Sequence, residues 1–218
     1  MVIYTANYGN KDRFIEPVLS EIWNKKFKFV YFTDHPFESD VWDVVVEKKT
    51  GDSQTLAKWY KINSHEVFPG EATLWMDASI RPKEDPTKFF NGWDHIQVRT
   101  HRDRKDVYEE AKVCVESKRG VKTQIEKQVV EYKKQGFLKG SGLYINGILF
   151  RKPTNVIVEM NKTWWDQIQK YSARDQISLP YVLWVNNVPF KEVEYNHYKN
   201  CFSPRKRHVF RGTKEVYK

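Results

Sequence analysis

A chain of 218 residues with 40% hydrophobic, 15% aromatic and 30% charged residues can bury a substantial core as one domain, which excludes a disordered polymer. Two cysteines exclude a disulfide framework and the usual four-ligand zinc patterns, and no window approaches the ~18 apolar residues of a membrane span. The 37 Lys and Arg against 28 Asp and Glu, a net charge of +9, favour anionic partners such as phosphate-bearing ligands.

The N-terminal "MVIYTANYGN" lacks a basic region followed by a long apolar stretch, so a cytoplasmic product is expected, either whole or as part of a larger polypeptide. "VIYTA" (Val2 to Ala6) reads as a first strand, and "DRFIEPVLSEIW" as a helix leading to two more strands, "FKFVYFTD" and "VWDVVVE". A helix follows, capped by Asp52 or Ser53, with Leu56, Trp59, Tyr60 and Asn63 at helical spacing. "ATLWMDA" is apolar on both faces, as a central strand covered on each side would be.

Beyond Arg81 the chain mixes Pro, Gly and charge, with a short strand near His95 to Arg99. "VYEEAKVCV" reads as a helix, and in the next one Val121, Ile125, Val129 and Tyr132 share a face until Gly136. "GLYINGILFRK" is a β run, and Ile157, Met160, Trp164, Ile168 and Tyr171 mark a long amphipathic helix. "SARDQISLPYVLWVNN" starts a further helix at Ser172, and "FKEVEYN" is a last strand before a tail rich in Lys and Arg with a single acid, Glu215. The alternation predicts an α/β fold with a mostly parallel central sheet flanked by helices, as one domain over residues 1–218.

Neither G-x-x-x-x-G-K-[ST] nor G-x-G-x-x-G is present, which lowers kinase-like and dinucleotide readings. Ligands of α/β sheets sit at the carboxyl ends of the strands, where "TANYGN" offers Thr5, Asn7 and Tyr8 to grip a base or ribose. Asp34 ends the second strand at the same rim, or simply opens a turn with Pro36. Asp77 follows the apolar run "LWM" directly, and a carboxylate there either marks the strand's exit from the core or holds a cation. Lys58 and Lys61 project to neighbouring positions of one helix; Lys58 is the favoured phosphate ligand and Lys61 the ordinary surface residue.

"VIYTANYGN", "YFTD", "AKWYKINSHEVFP", "LWMDASI" and "RDQISLPYVLW", in this order from Val2 to about Trp184, resemble a family of GT-A-type glycosyltransferase-like domains from plants, bacteria and large viruses. Among the viral members the likeness is to capsid-glycosylating enzymes. The resemblance implies a GT-A-like fold, a UDP-sugar donor, Mn2+ or Mg2+, and transfer of a hexose or deoxyhexose, glucose or rhamnose, to a hydroxyl of a glycan or glycoprotein. If the chain is viral, the host cytoplasm is its expected location.

On that resemblance the donor-contacting set is Thr5, Ala6, Asn7, Tyr8, Asp34, Lys58, Asp77, Ala78 and Lys214. The metal set is Asp77, Ser79 and His208, with His197 as the alternative to His208. Asp77-Ala78-Ser79 stands where the family usually has Asp-x-Asp, and Ser79 is the weaker ligand. "RHVFRGTK" is similar to the region that supplies a His and a Lys in glycogenin-like members, and the basic segment 199–218 would close over the diphosphate. The other reading of that segment is a solvated arm.

Asp175, with Arg174 and Gln176 beside it, is similar in position to the Asp-Gln segment that faces donor and acceptor in glycogenin-like transferases. It would orient the sugar, shield charge at the anomeric carbon or act as general base, or else only cap its helix. Two other classes stay open: a sugar nucleotidyltransferase, and a nucleic-acid or acidic-glycan binding module driven by the tail.

Overall fold

A computed structural model describes residues 1–12, 14, 16–17, 26–86, 94–193 and 202–204. The strands are β1 (Val2–Asn7), β2 (Lys28–Thr33), β3 (Asp43–Val46), β4 (Thr73–Met76), β5 (Ile80–Pro82), β6 (Ile96–Thr100), β7 (Tyr144–Arg151), β8 (Phe190–Val193) and β9 (Phe202–Pro204). The helices are α1 (Ser53–Ile62), α2 (Ser64–Val67), α3 (Val107–Glu116), α4 (Lys122–Lys134), α5 (Asn155–Lys170) and α6 (Asp175–Val185).

Seven strands form one sheet in the order β3-β2-β1-β4-β7-β6-β8. β1, β2, β3 and β4 pair in parallel, β7 is antiparallel to both β4 and β6, and β6 is parallel to β8. Every strand of this sheet except β7 therefore points the same way, and their carboxyl ends gather at one edge. This is the mostly parallel α/β arrangement expected from the sequence.

The alternation of side chains along a strand divides the apolar residues between the two faces. Tyr4, Trp75 and Leu149 join one buried cluster, which includes residues of α1, α5 and α6. Their neighbours Ile3, Leu74 and Phe150 join the other. All four residues of β4 are buried, as a central strand covered on both sides requires.

Helix boundaries follow local chemistry. Asp52 is the N-cap of α1 and accepts from the Thr55 amide at 2.8 Å, so the choice between Asp52 and Ser53 falls on Asp52. Asp106 caps α3 through the amides of Tyr108 and Glu109. α4 buries Ile125 and Tyr132, but Val121, expected on the same face, precedes the first turn as N-cap and is exposed. α5 buries Ile157, Met160, Trp164 and Ile168 at the expected spacing. α6 begins at Asp175, three residues later than the expected start at Ser172.

Three elements had no counterpart in the sequence reading: the single turn α2, and the antiparallel pair β5 and β9. The helix expected over "DRFIEPVLSEIW" falls largely outside the described residues, as does the end of "FKEVEYN". No helix among the described residues is long and apolar enough to cross a membrane.

Candidate functional site

β4 delivers Asp77 to the carboxyl edge. The Asp77 amide donates to the Gly147 carbonyl at 2.8 Å, and the Asp77 carbonyl accepts from the Ile80 amide at 2.8 Å. The turn so formed contains Ala78 and Ser79 and returns the chain into β5. Ala78 is buried in the second apolar cluster and Ser79 is half-buried.

The Asp77 side chain is 41% exposed. Its Oδ1 accepts from the Trp75 indole N–H at 2.9 Å and lies 3.5 Å from Lys61 Nζ. Gly147 leaves room for this carboxylate: a Cβ there would stand 3.1 Å from Asp77 Oδ2 and 3.0 Å from Ile80 Cδ1. Gly147 is absent from the residues expected at the site, although a glycine inside the run "LYINGILF" is a legible sign of close backbone approach.

Asp175 opens α6, where the helix N-terminus favours negative charge. Its side chain is 12% exposed, and Lys61 Nζ lies 2.8 Å from its Oδ2. Lys61 thus lies between the two carboxylates. Burial pushes the Asp175 pKa upward, but the positive charges of Lys61, Lys58 and Arg174 outweigh it and hold the carboxyl well below its usual range. Burial also pulls Lys61 down, and Asp175 and Asp77 reverse this, so its ammonium is held above the usual lysine value.

Of the two lysines, Lys61 departs from its expected role as ordinary surface. Lys61, read as ordinary surface, is 6% exposed and bridges Asp77 and Asp175. Lys58 is half-buried on the same helix; burial lowers its pKa, with Asp175 opposing. The reason is that the last turn of α1 buries Tyr60, Lys61 and Ile62 together. Helical spacing places the lysines side by side without saying which turn enters the core.

Arg174, N-cap of α6, points its guanidinium at Glu110, with Nη2 to Oε1 at 3.5 Å. Glu110 is buried and is also 2.5 Å from Arg104 Nε. Gln176 is half-buried in the first turn of α6.

At the ends of β1 and β2 the expected donor contacts are committed to the fold. Asn7 donates to the Asp12 carbonyl at 2.7 Å and to the Tyr31 hydroxyl at 3.2 Å, and its Oδ1 accepts from the Asp12 amide. Tyr8 is 1% exposed and its ring stacks on Tyr60 at 5.8 Å, so it is a core ring and not an open platform. Thr5 and Ala6 are buried, and the Thr5 hydroxyl has no hydrogen-bond partner among the described residues.

Asp34 accepts the Gly9 amide on both oxygens at 3.0 Å and lies 2.7 Å from His35 Nδ1. Burial raises its pKa, but His35 and the Gly9 amide win and hold it below the usual range. Its carboxylate therefore ties the loop after β1 to the end of β2. Gly9 takes φ +70, and a Cβ there would stand 3.2 Å from Ser53 at the start of α1.

A divalent cation with oxygen ligands fits part of this arrangement. Asp77 offers a half-exposed carboxylate whose Oδ2 makes no hydrogen bond among the described residues, and Ser79 lies two positions on in the same turn. Among the described residues no group of three or more His, Cys, Asp or Glu is placed to hold a metal. The remaining expected ligands, His208 or His197, lie outside the described residues, as does Lys214.

Residues 1–211 match the family model described as TOD1/MUCI70, glycosyltransferase-like domain. No curated protein matches the chain. Among solved structures it is similar to the glycosyltransferase GlyE of Streptococcus pneumoniae TIGR4, at 10% identity and TM-score 0.45, over 88% of this chain and 44% of that one. It is also similar to a glycosyltransferase involved in the glycosylation of the major capsid of PBCV-1, at 13% identity and TM-score 0.47, over 92% and 91%. A third is the galactosyltransferase LgtC in complex with donor and acceptor sugar analogs, at 10% identity and TM-score 0.44, over 82% and 69%. The chain spans less than half the length of GlyE.

Proposed function

The chain belongs to the TOD1/MUCI70 glycosyltransferase-like family, and from that premise we propose that it transfers a hexose or deoxyhexose from a UDP-sugar to a hydroxyl of a glycan or glycoprotein. The observation that carries this reading is the bridge from Asp77 through Lys61 to Asp175 at the carboxyl edge of the sheet. A sugar nucleotide presents two things there: a diphosphate whose charge grows as it leaves, and an anomeric carbon that turns positive. The site offers a cation for the first and an anion for the second.

Lys58, half-buried beside Lys61, contributes positive charge for the diphosphate. Asp175 contributes negative charge for the anomeric carbon. Its pairing with the Lys61 ammonium at 2.8 Å favours a role through its charge and through orientation of sugar hydroxyls. Arg174 and Gln176 flank it at the start of α6.

Asp77, Ser79 and a histidine, His208 before His197, would hold Mn2+ or Mg2+, which when bound supplies Lewis-acid charge for the leaving diphosphate. The pairing of β5 with β9 supports a tail ligand. Pro204 lies opposite Ile80 in an antiparallel ladder, so β9 runs toward the turn that carries Asp77 and Ser79. His208 follows Pro204 by a span of about 14 Å at most. We keep residues 1–218 as a single domain whose basic segment 199–218 would meet the donor phosphate and not nucleic acid. Glucose or rhamnose on a capsid glycan, in the cytoplasm of a host cell, is the specific form of this reading.

The test is UDP release from a panel of UDP-sugars with Mn2+, with and without a glycan acceptor. At least one sugar should be consumed by the wild type, and Asp175→Asn should abolish the reaction. No UDP from any sugar, or wild-type rates in Asp175→Asn, would overturn the proposal.

A further inference from the structure

Arg151 ends β7 with a guanidinium that is 1% exposed, yet no carboxylate among the described residues pairs with it. Its partners are neutral. Nη1 donates to the Ile62 carbonyl and to Asn161 Oδ1, both at 3.1 Å. Nη2 donates to the Tyr4 hydroxyl at 2.8 Å and to the Lys61 carbonyl at 2.5 Å. A buried cation is costly unless its donors and its charge are met. The carbonyls of Lys61 and Ile62 belong to the last turn of α1, where unpaired carbonyls carry partial negative charge. Arg151 therefore caps α1 from a neighbouring strand, and Tyr4 reinforces the cap by donating toward the carbonyls of Tyr60 and Lys61 at 3.1 and 3.3 Å.

The residue held by the shortest of these bonds is the one whose side chain reaches Asp77 and Asp175. We propose that Arg151 is a positioning residue: it clamps the end of α1 against β7 and β1, so that Lys61 extends its ammonium between the two carboxylates. A water could satisfy the same carbonyls, but it would not tie this turn of helix to two strands of the sheet. The proposal deepens the reading of the site given above and rests on it for its catalytic consequence.

The experiment compares Arg151→Met and Arg151→Lys with Asn161→Ala, which removes one Nη1 acceptor but keeps both contacts to the helix carbonyls. The first readout is the carbon-13 titration of the Asp175 carboxyl, a group faced by Lys61, Lys58 and Arg174, and it needs neither donor nor turnover. In the wild type Asp175 should stay ionised to the acid limit of the folded state. In Arg151→Met it should protonate within the ordinary carboxylate range, in Arg151→Lys part of the way, and in Asn161→Ala as in the wild type.

The second readout is kcat/KM with the best donor, which should fall on the order of 10- to 100-fold in Arg151→Met and recover in part in Arg151→Lys. An unchanged Asp175 titration in Arg151→Met would overturn the proposal, and so would an equal shift in Asn161→Ala, which would mark a loosened core. If Arg151→Met does not fold, Arg151→Lys decides by the same titration. If no UDP-sugar turns over in the wild type, the transferase reading fails while the titration still judges Arg151.

Discussion

Replacing Lys61 by Met removes the ammonium while keeping most of the side-chain volume. Asp175, 12% exposed, then loses the group 2.8 Å from its Oδ2. Breaking a buried ion pair from one side costs about 3–5 kcal/mol. The contact to Asp77 adds little, because it is long at 3.5 Å and that side chain is 41% exposed. Lys58 and Arg174 still face Asp175 and offset part of the loss, which places the expected cost near the lower end, about 3 kcal/mol. For a domain of this size that lowers Tm by about 6–12 °C.

The pH dependence has a definite sign. Asp175 has a depressed folded-state pKa, so its stabilisation is present above the unfolded value of about 3.9 and is lost as pH falls through the folded one. Lys61 has a raised pKa, so its share is present below about 10.4 and is lost as pH rises through the folded value. Urea unfolding of wild type and Lys61→Met should therefore differ most between about pH 5 and pH 10 and converge toward acid. Equal stability at pH 7, or a gap of the same size at pH 3 and pH 7, would refute the reasoning.

Gly147→Ala forces a Cβ to within 3.1 Å of Asp77 Oδ2 and 3.0 Å of Ile80 Cδ1, and should cost about 1–3 kcal/mol with a marked loss of UDP-sugar turnover. Thermal unfolding and UDP release check this, and wild-type turnover would show that the turn yields freely. Asp77→Asn keeps the shape of the site and leaves Lys61 on Asp175, so stability should change by less than about 1 kcal/mol while calorimetric Mn2+ binding disappears. Undiminished Mn2+ binding would remove Asp77 from the metal set. Asp52→Ala deletes the acceptor of the Thr55 amide and hydroxyl, and should cost about 1 kcal/mol in urea unfolding while leaving donor KM unchanged.

What local sequence determines here is what depends on neighbours along the chain. The period of apolar residues marks β1, β2, β4, β7, α1 and α5 to within a few residues, because each must present a face or both faces to the core. The same logic brings Asp77 to the rim: an ionised group at the end of "LWM" cannot remain inside an apolar strand. Asp52 and Asp106 were likewise suited to their caps by chemistry with amides two or three residues away.

Only the tertiary structure decided which groups meet. Lys58 and Lys61 are equivalent to any count along α1, and the choice between them follows from how its last turn is held: the Lys61 carbonyl accepts from Arg151 of β7 and the Lys61 ammonium meets Asp175 of α6. Tyr8 looked like an open ring at a loop and became core because Tyr60 lies over it. β5 and β9 are too short to be distinguished from loop until they find each other across the chain. Asp77, Lys61 and Asp175 come from three separate segments, and an ion pair depends steeply on distance and burial, which are properties of the packed chain and not of spacing along it.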